Sequence, residues 1–132
     1  VIHAFALLKR SAAVANLKLA YLDQRRAKLI VQACDEVLDS FESPEDAAEM
    51  MQHFPIDVFQ TGSGTSTNMN MNEVLSNIVC LNTGNHIGAK DPVHPNDHVN
   101  MGQSSNDTFP TAMQLAACIE IKSILIPNLP FS

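Results

Sequence analysis

Basic residues are scarce in this sequence. Eight Lys and Arg stand against fourteen Asp and Glu, giving a formal net charge of -6, and none lies between Lys28 and Lys90. With no basic stripe to displace counterions, nucleic acid is excluded as a partner. Cysteine is sparse as well. Cys34, Cys80 and Cys118 are odd in number and far apart, which argues against a disulfide framework or a CxxC metal site and fits buried reduced thiols. No leader with a basic start and an apolar stretch opens the chain, and no apolar run is read as long enough to span a membrane. A soluble intracellular protein with no membrane partner is the expectation. A nucleotide loop is also missing: TGSGTST lacks the GK[ST] ending that would place a lysine on phosphates, and it does not fit GxGxxG. No cofactor is expected. What is present is apolar bulk, 45% of 132 residues, so one folded domain's worth of chain is expected.

Helical spacing dominates. Ile2 to Leu22 predicts a first helix, with Phe5, Leu8, Ala12, Ala15 and Leu19 on the buried side. Asp23 is placed to cap a second, whose buried side is Leu29, Ile30, Ala33, Cys34, Val37 and Leu38. The basic group Arg25, Arg26 and Lys28 in its first turn reads as a solvated or interface patch. Ser43-Pro44-Glu45-Asp46 combines a cap, a first-turn proline and first-turn acids, and predicts a short third helix ending near Gln52. A fourth runs from about Thr67, with Thr67 or Asn68 as its cap, to Leu81; its apolar side is Met71, Leu75, Ile78 and Val79. Asn82-Thr83-Gly84-Asn85 supplies the stop. The fold class is therefore all-α.

Two stretches carry chemistry. In FQTGSGTSTNMNMNEV (Phe59–Val74), glycines and hydroxyls lead directly into a helix, where free N–H groups and the helix dipole favour an anion. Because no cation lies nearby, a small carboxylate held by local dipoles is the reading. In MGQSSNDTFPTAMQLAA (Met101–Ala117), Gly102 and the cluster Gln103 to Thr108 lead into a second helix, with Pro110 expected in its first turn. One such entry is ordinary; two point to convergence on a ligand. Between them, His86 to Gln103 is a long irregular run of the kind that binds something in a compact domain. His94 and His98 have helical metal spacing, but Pro95 holds His94 extended, so a small polar pocket of His94, Asn96 and Asp97 is preferred to a metal site. The last helix is apolar nearly all round, and its cover is expected from further chain or other subunits.

QTGSGTSTNMNMNEV at 60–74 and VHPNDHVNMGQSSNDTFPTAM at 93–113 resemble the fumarase/aspartase superfamily and, within it, the class II fumarases. The resemblance runs over essentially all 132 residues. It implies a helical N-terminal lyase domain at 1–103 and, at 104–132, the start of a central helical bundle that assembles into homotetramers with sites shared by three subunits. Ser63, Gly64 and Thr65 match one set of substrate-carboxylate contacts, and Ser104, Ser105 and Asn106 match a second. His94, Pro95, Asn96 and Asp97 match a secondary carboxylate site.

The implied reaction is reversible hydration of fumarate to malate, with no metal. The family's general base and acid, and its lysine, lie in downstream segments, so no catalytic residue is assigned here. Aspartase-type relatives tend to carry Ala at position 63 and Asn at position 94. Ser63 and His94 side with fumarase, whereas Met101-Gly102 departs from the common Lys-Ser. With no initiator Met at Val1 and an end at Ser132 just after an apolar helix, the chain is expected to be a fragment, inactive alone. The alternative is a non-catalytic truncated domain that binds a dicarboxylate or a partner helix.

Overall fold

The computed structural model describes residues 1–57, 59–60, 62 and 64–130; Ser63, one of the expected contacts, lies outside the described residues. Five principal helices are formed, α1 (Ile2–Lys18), α2 (Gln24–Asp39), α3 (Pro44–Met51), α4 (Thr65–Asn82) and α5 (Ser105–Glu120), with no strand among the described residues. The all-α expectation holds. α1 packs against α2, α4 and α5, while α4 packs against α2 and α5. The core gathers Phe5, Ile30, Val37, Met71, Leu75 and Val79 from these helices.

Local chemistry explains most boundaries. Asp23 caps α2 by accepting from the Arg26 N–H at 3.0 Å, and Ser43 caps α3 from the Asp46 N–H at 3.1 Å, each satisfying a donor that the helix leaves open. Gly84, at φ 78°, ends α4.

Several expectations are corrected. α1 stops at Lys18 and not Leu22, because Ala20 turns left-handed at φ 59°. Its buried face is also different. Leu8 and Ala12 are half-buried and Ala15 and Leu19 are exposed, while Ile2, Phe5, Lys9, Ala13 and Asn16 face inward. Polar residues occupy buried positions on that face, so the apolar spacing pointed to the wrong stripe. Arg26 is a clamp and not part of a solvated patch: its Nε donates to the Pro92 carbonyl at 2.8 Å and it pairs with Asp23.

α4 begins at Thr65, two residues before the expected cap. Gly64 is the N-cap at φ 68°, and Thr67 and Asn68 are buried inside the helix. α5 begins at Ser105, so Pro110 lies in its second turn. There it removes the N–H that would have bonded to the Asn106 carbonyl. Cys34 and Cys80 are buried as expected, but Cys118 is exposed.

α5 continues through a π-helical stretch, Ile121–Leu125, to Asn128. That helix, Ser105–Asn128, is long and apolar enough to cross a membrane by length and composition, which corrects the reading of no such run. A core helix that passes the same test is mostly buried, whereas only 6% of the apolar stretch of this one is buried among the described residues; Glu120 and Lys122 sit in its middle, where a bilayer would oppose them. Only Thr108 and Ala112 of α5 are buried. Its second half exposes Ile121, Ile124, Leu125 and Ile126.

Candidate functional site

The two polar helix entries meet. Asn68, one turn into α4, donates from Nδ2 to the Ser105 hydroxyl at 2.8 Å and to Asn100 Oδ1 at 3.1 Å. Beside this link, Gly64 lies so close to Phe109 of α5 that a Cβ on it would fall 2.0 Å from the ring's Cγ. The Phe109 ring also meets Phe5 of α1, with centroids 6.0 Å apart. Glycine is therefore required at position 64 twice over, by left-handed backbone and by close approach. An open pocket of about 220 Å³ lies here, lined by Phe59, Gln60, Gly62, Gly64 and Phe109.

Ser104 is the N-cap of α5, extended at φ -117° and ψ 140°, and makes no capping hydrogen bond. It is exposed with Asn106, while Ser105 is half-buried. Thr65 is exposed in the first turn of α4. The first-turn N–H groups of α4 and α5, and the hydroxyls and amides beside them, are donors of the kind an anion takes up. The larger cavity, about 470 Å³, is elsewhere, among α1, α2 and α5 beside His3, Phe41 and Ile119. Its lining carries the acids Asp39, Glu42 and Glu120, which would repel a carboxylate.

Behind the helix starts is a buried polar cluster that sequence reasoning missed. Lys9 of α1 is 0% exposed. Its Nζ donates to Asn100 Oδ1 at 3.1 Å and to Gln103 Oε1 at 2.8 Å. Asn72 Nδ2 donates to the same Asn100 oxygen at 3.2 Å. Burial pushes the Lys9 pKa down to about 7, with Cys34 nearby raising it slightly, because desolvation penalises the ammonium. Burial likewise pushes the Cys34 thiol up to about 12. Asn68 Oδ1 and Asn72 Oδ1 are buried without a partner among the described residues. The available signal was polar: Asn68, Asn72 and Ser76 recur every four residues on the side of α4 that also carries Met71, Leu75 and Val79.

The run His86 to Gln103 is less irregular than expected. Asp91-Pro92 is cis, and Pro95–Val99 forms one π-helical turn packed against α4. His94 is extended, as Pro95 requires, yet the two histidines do meet: the His94 N–H donates to His98 Nδ1 at 2.8 Å. The His94 ring caps its own turn, Nδ1 accepting from Asn96 N–H at 3.2 Å and Asp97 N–H at 3.3 Å. Its ring proton is thereby directed to Nε2. Burial, then Arg26, lowers the His98 pKa against the pull of Asp97. Among the described residues no group of three or more His, Cys, Asp or Glu is arranged to hold a metal. An anion at this turn would have to displace the His94 ring from the two amides.

Comparison with known proteins follows the same motifs. A family profile described as lyase matches residues 1–130. Fumarate hydratase class II of Chlamydia pneumoniae is 51% identical over 130 residues, 98% of this chain and 26% of that protein. The mitochondrial fumarate hydratase of Homo sapiens is 52% identical over 129 residues, 98% of this chain and 24% of that protein. Among solved structures, recombinant class II fumarase from Schistosoma mansoni superposes with a TM-score of 0.83 at 42% identity, covering 96% of this chain and 25% of that one. The chain thus spans about a quarter of the length of the curated relatives it matches. It belongs to the lyase family, and within that family it is similar to the class II fumarate hydratases.

Proposed function

We propose that this chain supplies substrate-carboxylate contacts to a hydro-lyase site that interconverts fumarate and malate. The observation that carries the reading is the Asn68–Ser105 hydrogen bond, which sets two donor-rich helix starts side by side. The contacts are Ser63, Gly64 and Thr65 from the glycine loop and Ser104, Ser105 and Asn106 from the start of α5. Removing a proton beside a carboxylate of malate builds up a dianionic aci-carboxylate, and preorganised hydroxyl, amide and N–H donors lower that barrier. A general acid and base are needed as well. By the family resemblance they come from segments outside these residues, so the chain alone is inactive.

The relatives' greater length and the exposed apolar half of α5 support a homo-oligomer, a tetramer in the full-length protein, with each site shared between subunits. In this reading residues 1–103 form the N-terminal lyase domain and residues 104–132 begin the central bundle. His94, Pro95, Asn96 and Asp97 form a secondary carboxylate contact once the ring swings off the turn. The location is the cytoplasm, or the mitochondrial matrix in a eukaryotic source. The exposed Ile121, Ile124 and Leu125 favour one second reading, a non-catalytic domain that associates through this helix.

The test is the full-length protein assayed by loss of fumarate absorbance, in water alone and with ammonium, alongside aspartate deamination. Hydration without ammonium is the expected result. Aspartate deamination alone would replace the reading with an ammonia lyase, and no turnover of either would leave the associating domain.

A further inference from the structure

Lys9 is a buried amine that the carboxylate-contact reading does not use. None of the ion pairs among the described residues involves it; its head is met instead by two side-chain amide oxygens, Asn100 Oδ1 and Gln103 Oε1. Burying an ammonium against neutral acceptors is unfavourable unless the bonds are well formed, so what those bonds accomplish needs an explanation.

Asn100 Oδ1 accepts from three donors at once, Lys9 Nζ, Asn68 Nδ2 and Asn72 Nδ2. Such a shared acceptor ties its donors into one network, whose bonds strengthen one another in a buried setting. Asn100 Nδ2 donates to the Gln103 carbonyl at 3.2 Å, and Gln103 Nε2 donates to the carbonyls of Val99 at 2.9 Å and Met101 at 3.2 Å. Residues 99–103 are therefore folded around the lysine head. The same Asn68 amide that reaches Asn100 also reaches the Ser105 hydroxyl at 2.8 Å.

We propose that Lys9 is a positioning residue: its Nζ donors fix Asn100 and Gln103 and, through Asn68, set the Ser105 hydroxyl and the start of α5. The functional consequence rests on Ser104–Asn106 being substrate contacts, whereas the positioning does not.

The test uses the full-length protein with Lys9→Met, which keeps length and removes charge, and Gln103→Leu, which removes the shorter bond from the other side. Two readouts are taken, kcat and KM for fumarate, and amide hydrogen exchange. Lys9→Met is expected to lower kcat/KM for fumarate by about 10- to 100-fold, the size of effect that a small misplacement of a contact produces, with a raised KM as part of it. Exchange is expected to quicken over residues 100–108 and stay unchanged in α3. The double variant should be no worse than the more severe single, since both break one link. Unchanged kinetics and exchange in the 100–108 segment, or loosening spread evenly over the molecule with KM unaltered, would overturn the proposal. If Lys9→Met does not fold, Gln103→Leu decides by the same readouts. If the wild-type protein does not act on fumarate, the functional reading fails by itself, and local loosening at 100–108 still decides whether Lys9 positions that segment.

Discussion

Asn68 of α4 and Ser105 of α5, 37 residues apart in sequence, are joined by a 2.8 Å hydrogen bond. Asn68 is fully buried, and its other donor contact runs to Asn100. Asn68→Ala removes both bonds, and although Asn100 Oδ1 keeps Lys9 and Asn72 as donors, the loss costs about 1–3 kcal/mol. Thermal unfolding of the full-length variant should show that loss, with a raised KM for fumarate. An unchanged KM would separate the bond from the site.

Gly64→Ala meets two obstacles, a left-handed φ of 68° and a Cβ placed 2.0 Å from Phe109 Cγ. Gly84 is also left-handed, at φ 78°, but a Cβ there meets nothing within 4 Å. Gly84→Ala therefore should cost only the backbone term, about 1–2 kcal/mol, and Gly64→Ala distinctly more. Adding Phe109→Ala to Gly64→Ala should recover part of the difference. Equal losses in denaturant titrations of the two glycine variants would mean that the approach of Phe109 is not close.

The buried amine of Lys9 makes stability depend on pH. Its pKa falls from 10.5 unfolded to about 7 folded, so between those values the unfolded chain binds more protons and stability rises with pH. Below about pH 7 the full penalty of the buried ammonium applies. Cys34 acts oppositely, since its rise from 9.0 to about 12 removes stability as pH climbs beyond 9. The clean window is pH 7 to 9, where Lys9 contributes a gain on the order of 2 kcal/mol. Lys9→Met should flatten that rise in urea titrations across the window; an unaltered slope would assign it to other groups.

His94→Ala strips the cap from Asn96 and Asp97, a loss of about 1 kcal/mol. His94→Asn keeps a short acceptor and should lose less. Thermal melts of the two variants test the order, and a reversed order would mean that the ring does not cap the turn.

The sequence was informative where local chemistry decides structure. Asp23, Ser43 and Gly84 each act at a helix end through one hydrogen bond or one backbone angle, and each stands where its residue type predicted. The paired helix entries were legible too, because glycine beside hydroxyls and amides has a local meaning. The inward face of α1 was not. Lys9 and Asn16 are buried by partners around ninety residues away, Asn100, Gln103 and Met101, and periodicity counts such residues as outward. The starts of α4 and α5 were missed for a related reason. Thr65 and Ser105 begin helices that tertiary contact extends past the obvious caps, Gly64 against Phe109 in one case and Ser105 against Asn68 in the other.

The most direct measurement is a calorimetric titration of malate into the full-length protein and its Ser105→Ala variant, with melting temperatures taken alongside. If the two helix starts form one carboxylate site, the variant, still folded at the temperature of the titration, binds at least about tenfold more weakly, the loss of roughly one hydrogen bond to a charged group. Equal affinity in the two proteins would contradict the assignment of this segment to the substrate.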